Sequence, residues 1–150
     1  MWEINGLPLH PLVVHAAVVL GPLAVLAALV YVALPRHRDL FRWVAVVAVL
    51  LAAACVWGAY LTGNNFFSHG GFDHFSQKIQ DRIATHQRYG RTLRWITSGF
   101  AVVTVAAAWL HDRTGAARIA LNLLVVLGAV LTLVWIALTG EAGARAVWGK

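Results

Sequence analysis

The sequence predicts an all-α membrane protein built as a bundle of four transmembrane helices, and three observations lead to this prediction. Of the 150 residues, 60% are hydrophobic and only 12% are charged, about half the charged share typical of a soluble domain. The mean hydropathy is +0.71. Long uncharged apolar runs recur along the chain, and a spanning helix needs about 20 such residues. Together these features exclude a disordered chain and an ordinary water-soluble enzyme.

Three of the apolar runs contain no charged residue, and the third run in chain order is uncharged only over residues 95–111. We expect its helix to begin earlier, near Ser76, and to enter the membrane through residues 84–94. Pro35 is predicted to close the first span, and Gly63 and Gly140 the second and the fourth. The predicted spans cover residues 12–34, 43–62, 84–111 and 119–139, with a long polar loop over residues 63–83.

The distribution of arginine predicts the orientation in the membrane. Two short loops, residues 35–42 and 112–118, lie on one side, and both termini lie with the long loop on the other. The short loops carry five arginines in brief segments, whereas seven basic residues are spread over the much longer opposite side. Arginine density favours short loops in the cytoplasm. We therefore predict a multi-pass inner-membrane protein with both termini extracytoplasmic, and attribute its net charge of +6 to lipid headgroups rather than nucleic acid.

The ends of the second and fourth runs suggest an internal duplication. Both contain Leu-Thr-Gly preceded by a tryptophan about one helical turn earlier, at residues 61–63 and 138–140. The interval from His10 to Thr62 is 52 residues, and the interval from His86 to Thr139 is 53. Two helical hairpins related by an axis along the membrane normal would produce this pattern, with His10 and His86 as counterparts.

Histidines are concentrated on the predicted extracytoplasmic side. His10 and His86 each begin a stripe of small residues at steps of three and four, which lets membrane helices approach closely. Ionisable groups gathered at one depth of a membrane bundle are a functional hypothesis by default. The five histidines on this side are His10, His15, His69, His74 and His86.

A b-type haem is the first cofactor that this arrangement suggests. Imidazoles from facing helices can occupy both axial positions of a haem in a helix bundle, and we assign these positions to His10 (or His15) and His86. His15 lies about 140° around the helix from His10 and is otherwise expected to bond to a neighbouring helix. The haem propionates need donors near the headgroups, and the predicted donors are Arg88, Arg91 and Arg94.

A hydrophilic metal, zinc or copper, is the competing cofactor. His69, Asp73 and His74 offer two imidazoles and a carboxylate in one loop, although their spacing matches no standard zinc pattern. Solvated loop residues, with Asp73 capping the next helix, are the simpler interpretation. His10 and His86 are the other candidate metal ligands.

Two segments resemble a known family. Asn5-Gly-Leu-Pro-Leu-His10-Pro-Leu-Val-Val-His15 near the start and Gly143-Ala-Arg-Ala-Val-Trp-Gly149 near the end are similar to domain of unknown function 2231. The resemblance implies a small four-helix bacterial membrane protein, with a histidine near the start of span three that His86 matches. Some relatives are joined to Rieske-type iron–sulfur domains, which implies electron transfer. Where such members have Phe-Pro after the second histidine, this chain has Ala16-Ala17.

Three functions follow from these patterns. The first is a redox protein that holds haem b and passes electrons to a partner protein or quinone. The second is a cofactor-free accessory subunit, which would dock a larger membrane complex or a second copy through its small-residue faces and residues 63–94. The third is an outer-surface metal-binding protein. Scattered carboxylates and the lack of a nucleophile–base pair argue against hydrolase or transferase activity.

Overall fold

The computed structural model describes residues 2–149, and within them four α-helices form an antiparallel bundle. Helices α1 and α2 form one hairpin and α3 and α4 form another, and packing is most extensive within each hairpin. We call the end where α1 and α3 begin the histidine end, and the opposite end the arginine end. The helices are α1 (Leu9–Ala33), α2 (Arg38–His69), α3 (Gln77–Trp109) and α4 (Gly115–Trp148).

The predicted four-helix membrane bundle is confirmed as a fold class. Within residues 2–149, three helices are long and apolar enough to cross a bilayer, namely α1, α2 with its preceding turn, and α4. Helix α3 differs because its first half is rich in charge, from Lys78 to Arg94. Its second half packs with the other helices and contributes Phe100 and Ala107 to the same core.

Gly63 and Gly140 do not end their helices, contrary to the prediction from the sequence, and the limits of the spans in the membrane stay predictions. Helix α2 continues past Gly63 to His69, and α4 continues past Gly140 to Trp148. The predicted polar loop over 63–83 is therefore mostly helical, with its connection confined to residues 70–76. The expected start of α3 near Ser76 agrees with the structure, and α1 ends at Ala33, just before Pro35. Gly63 is a site of close packing rather than a helix terminus, as described below.

Small residues form the centre of the bundle, as the stripes predict. Bulky side chains such as Val19, Leu26, Val102 and Leu123 are exposed on the outside, where a bilayer would cover them. At Gly21 a Cβ would overlap the terminal methyl of Ile136, which would have to shift, so glycine favours the close approach of α1 to α4. The buried stripe members are Ala17, Gly21, Ala24 and Ala28 on α1, and Leu93, Thr97, Ala101, Thr104 and Ala108 on α3.

A short β-hairpin that the sequence patterns did not predict precedes α1. Strand β1 (Glu3–Ile4) pairs with β2 (Leu7–Pro8) through Asn5 and Gly6, which have φ of 51° and 74°. Positive φ at both central positions is what a two-residue hairpin turn requires, and Asn-Gly suits it. The Trp2 backbone N–H donates to Asn65 Oδ1 at 2.8 Å. This bond attaches the hairpin to the end of α2, beside the start of α1.

Candidate functional site

His10 lies in the first turn of α1, and its side chain contacts α2. Its Nδ1 donates to the Ala59 carbonyl oxygen at 3.0 Å, and the Thr62 hydroxyl lies 3.5 Å from the same nitrogen. The ring packs directly on Gly63, where an added Cβ would lie 2.9 Å from His10 Cε1. Since real Cβ atoms essentially never approach that closely, Gly63 provides the flat surface on which the imidazole rests.

His86 repeats the arrangement in the second hairpin. Its Nδ1 donates to the Thr139 carbonyl oxygen of α4 at 2.9 Å. A Cβ added to Gly143 would lie 3.0 Å from His86 Cε1. In both hairpins, therefore, the carbonyl that accepts the hydrogen bond lies four residues before the glycine against which the histidine ring packs.

The two matching sites refine the predicted duplication. Aligning the Leu-Thr-Gly triplets pairs Gly63 with Gly140, but the histidine contacts pair Gly63 with Gly143 and Ala59 with Thr139. The triplet alignment is therefore displaced by three residues, close to one helical turn. His10 and His86 remain counterparts, since each is bonded to the second helix of its own hairpin.

The two imidazoles meet at the interface between the hairpins. Their ring centres are 6.1 Å apart and their planes are inclined at 69°. Because a carbonyl oxygen can only accept, the hydrogen bonds assign the proton of each neutral ring to Nδ1. Neither Nε2 atom forms a hydrogen bond with the described residues 2–149. The pair thus offers two unshared nitrogen lone pairs at one place in the bundle.

A cluster of phenylalanines adjoins this pair toward the histidine end. Phe66 stacks on His10 with ring centres 6.2 Å apart, and Phe66 in turn packs edge-on against Phe72 at 5.2 Å. Phe67 and Phe75 also contact Phe72. Phe66 of α2 thereby covers part of the His10 ring with apolar surface, and Phe72 of the connection between α2 and α3 packs against Phe66.

The structure does not bring His15 to the pair. Its side chain is exposed, and its Nδ1 donates to the Pro11 carbonyl oxygen of its own helix at 2.6 Å. The expectation that His15 bonds to a neighbouring helix is wrong, because the helix begins at Leu9 and places His15 on its outer face.

Of the predicted propionate donors, Arg88 and Arg91 are exposed and Arg94 is half-buried. Arg94 is enclosed by aromatic rings, with its guanidinium carbon 4.7 Å from Trp57, 4.0 Å from Tyr60 and 5.1 Å from Trp95. Arg88 is exposed and lies over Tyr89 at 5.8 Å, and Arg91 is also exposed. Arg94 is therefore a cation–π partner that attaches α3 to α2.

The loop residues suggested for zinc or copper do not converge. His69 Nδ1 lies 3.0 Å from the Asn65 carbonyl oxygen and 2.8 Å from the Ser68 hydroxyl. Asp73 contributes its backbone carbonyl to Gln80 at 3.2 Å. Across residues 2–149, no three His, Cys, Asp or Glu side chains are grouped so that they could hold a metal ion. Neither His69, Asp73 and His74 nor the pair His10 and His86 amounts to such a group.

The burial of Arg118 is a feature that the sequence patterns do not predict. They place Arg118 in a short loop, yet it is 6% exposed at the arginine end. Its guanidinium donates to the Tyr31 hydroxyl at 3.1 Å and to the Ala107 and Leu110 carbonyls, both at 3.3 Å. Tyr31, which is fully buried, donates to the Ala107 carbonyl at 2.6 Å. A signal was available, since Tyr31 is a polar aromatic inside an otherwise aliphatic run.

Comparison with known proteins identifies the family. A family model described as a predicted membrane protein (DUF2231) matches residues 6–150. No curated protein and no solved structure matches the chain. Because the match covers nearly the whole sequence, including both histidines of the pair, the chain belongs to the DUF2231 family of predicted membrane proteins.

Proposed function

We propose that this membrane protein binds one b-type haem between its two hairpins, where His10 and His86 would hold it, and that it carries electrons. The observation that supports the proposal most is the pairing of two imidazoles from opposite hairpins, each with Nδ1 bonded to a carbonyl. A hydrogen bond of this kind is typical of metal-ligating histidines, because it fixes the tautomer and raises the basicity of the other nitrogen. The Nε2 atoms are then the ligands.

The separation of the rings fits this donor set. The two ring centres are 6.1 Å apart, so that His10 and His86 are close enough that both could contact one bound group. A tetrahedral zinc site needs four ligands, whereas a haem would need only two histidine nitrogens from the protein. The pair therefore suits a haem better than a bare metal ion.

The protein's own residues would set the properties of the centre. When bound, haem supplies a reversible one-electron couple whose potential depends on axial ligation, hydrogen bonding and burial. Ala59 and Thr139 orient the ligands through their carbonyls, while Gly63 and Gly143 let the rings lie close to the helices. Phe66 limits the access of water to His10. The propionates require donors other than Arg94, which is already enclosed by aromatic rings.

The test is the visible spectrum of the detergent-purified protein, titrated with haem to saturation. We expect a one-to-one complex with a Soret band that shifts on reduction and is lost or strongly altered in His10→Ala and in His86→Ala. His15→Ala and the double variant His69→Ala/His74→Ala are matched controls at the same end and should retain the wild-type spectrum. A titration of the wild-type protein that gives only the spectrum of free haem, or an unaltered spectrum in His86→Ala, would overturn the proposal.

The second function, a cofactor-free accessory subunit, depends mainly on docking through the small-residue faces. The small-residue stripes suggested as docking faces are buried inside the bundle, where Ala24 and Ala28 are 0% exposed. They are therefore occupied by packing within the chain. The outer-surface zinc or copper site has no converging side chains to support it. Zinc or copper retained by the wild type and lost in His69→Ala/His74→Ala would favour that third function over haem.

A further inference from the structure

An aromatic cage around the Arg94 guanidinium lies between α2 and α3. Trp57 and Tyr60 of α2 and Trp95 of α3 form this cage. The Trp57 ring packs edge-on against both other rings, with ring centres 6.4 Å from Tyr60 and 5.4 Å from Trp95. The Trp57 indole N–H also donates to the Ser98 hydroxyl of α3 at 2.9 Å. These contacts hold the guanidinium in one position near the outer surface, where Trp95 is exposed.

The cage leaves the hydrogen-bond donors of Arg94 unused. A cation–π contact supplies no lone pair of the kind that a carbonyl or phosphate oxygen offers, so it does not replace a hydrogen-bond acceptor. Arg94 Nε is buried without a partner, and no other atom of residues 2–149 accepts a hydrogen bond from this guanidinium. Since a buried donor without an acceptor is costly, a ligand that brings an acceptor to Arg94 would be bound favourably.

The positive charge around the cage has no carboxylate to neutralise it. Arg91, three residues before Arg94, is exposed and lies beside the Tyr60 hydroxyl, which is a hydrogen-bond acceptor rather than a charge partner. Arg88 adds a third guanidinium three residues farther toward the start of α3. None of these three arginines forms an ion pair with residues 2–149. The surface therefore complements an anion.

Exposed apolar side chains continue from the cage along α3. Trp95, Val102 and Trp109 follow one another at steps of seven residues, and all three are exposed. Residues at this spacing lie on one side of a helix. A hydrocarbon chain that starts beside the cage can therefore follow α3 over Trp95 and Val102, which a free anion in water would leave uncovered.

The position of the arginines along α3 matches the headgroup level of a bilayer. Arg91 and Trp109 are 18 residues apart, which is roughly 27 Å along the helix, close to the hydrocarbon thickness of about 30 Å. With Trp109 at one interface, where tryptophan is enriched, Arg91 lies at the headgroups of the opposite leaflet. Because Arg91 and Arg94 both lie against Tyr60, their guanidinium groups are at nearly the same depth.

We propose that the outer surface between α2 and α3 binds one anionic glycerophospholipid of the phosphatidylglycerol class. Arg91 and Arg94 donate to the phosphate oxygens, a pairing for which the guanidinium group is well suited, and an acyl chain lies along Val102. An ethanolamine headgroup would place its ammonium group among arginines, with no carboxylate to receive it. The proposal is independent of the haem proposal, because it uses neither His10 nor His86. We call this surface the α2–α3 site, and its residues are Trp57, Tyr60, Arg91, Arg94 and Trp95.

Native mass spectrometry of the detergent-solubilised protein tests the α2–α3 site. The protein is presented with equal amounts of phosphatidylglycerol and phosphatidylethanolamine that carry the same acyl chains. We expect the wild type to retain one phosphatidylglycerol in preference to phosphatidylethanolamine. Arg91→Gln should lower this retention about fivefold, the effect of about one basic residue near a lipid surface. Arg91→Lys keeps the charge that binds phosphate and should stay within about twofold of the wild type.

Arg113→Gln is the matched control, because it removes the same charge from an exposed position at the arginine end. It should retain phosphatidylglycerol as the wild type does. Excess glycerol phosphate, which has the phosphate but no acyl chain, should not displace the lipid. Equal retention of the two lipids by the wild type, equal retention by Arg91→Gln and Arg113→Gln, or displacement by glycerol phosphate would each overturn the proposal.

Discussion

The two ends of the bundle both join the hairpins through polar side chains, but they do so in opposite ways. At the arginine end, Tyr31 of α1 and Arg118 of α4 meet on the last turn of α3. At the histidine end, His10 of α1 meets His86 of α3. Each junction therefore links elements of both hairpins at one side of the membrane.

The junctions differ in what they leave unbonded. A guanidinium has five N–H donors, and Arg118 has five acceptors around it: the three groups already described, the Arg113 carbonyl and Asn122 Oδ1. The histidine pair keeps both Nε2 atoms without a hydrogen bond to residues 2–149. The comparison teaches that a saturated polar cluster stabilises the fold, whereas a partly unsaturated one is available to a ligand.

The largest effect on stability is expected at the arginine end. Arg118→Met should lower the free energy of unfolding by about 3 kcal/mol, because it removes hydrogen bonds from buried carbonyls and from the Tyr31 hydroxyl. Unfolding of the protein in mixed micelles measures this change. Arg113→Met, at an exposed position, is the control. The folded fraction of Arg118→Met should still bind haem. If Arg118→Met and Arg113→Met were equally stable, the Arg118 cluster would not stabilise the fold, and the contrast with the histidine end would be lost.

Tyr31→Phe is expected to cost less, about 1–2 kcal/mol. The substitution keeps the buried ring and removes only the hydroxyl, which both accepts from Arg118 and donates to the Ala107 carbonyl. Combined with Arg118→Met, its cost should be less than additive, since the two residues share one network. Full additivity in the same unfolding assay would mean that they do not form a single unit.

Two glycines of α4 sharpen the comparison at the histidine end. Gly140→Ala should stabilise the protein by about 0.5–1 kcal/mol through helix propensity, since its Cβ meets nothing within 4 Å. Gly143→Ala should not stabilise the protein in this way, because its Cβ would lie 3.0 Å from His86 Cε1 and displace the ring. It should also weaken haem binding in the titration. Identical behaviour of the two alanine variants would contradict the role of Gly143.

The smallest effect is expected for Thr62→Val, about 0.5 kcal/mol. The Thr62 hydroxyl donates at 2.7 Å to the Gly58 carbonyl of its own helix, and it lies 3.5 Å from His10 Nδ1. The stronger contact to His10 is the Ala59 carbonyl, which the substitution leaves in place. Both the unfolding curve and the Soret maximum should remain close to those of the wild type. A large spectral change would mean that Thr62, rather than the Ala59 carbonyl, orients His10.

The sequence predicts the class of the fold from local helical spacing, and it predicts the pairing of His10 with His86 because each histidine begins a stripe of small residues in a repeated hairpin pattern. It does not predict the burial of Arg118, which depends on Tyr31, 87 residues away along the chain. Glycine is equally ambiguous, since it ends helices and also permits close packing. The sequence pattern predicts that Gly63 ends a helix, but in the structure Gly63 permits close packing. The reason is that the ring that rests on it belongs to another helix.

Electron paramagnetic resonance of the oxidised, haem-loaded protein tests the central claim most directly, namely that the histidine end ligates one metal centre from both hairpins. The wild type should give a low-spin signal typical of two axial imidazoles. His10→Ala and His86→Ala should each give a high-spin signal or bind no haem, whereas His15→Ala should remain low-spin. A high-spin wild type, or an unchanged low-spin signal in either His10→Ala or His86→Ala, would contradict that claim.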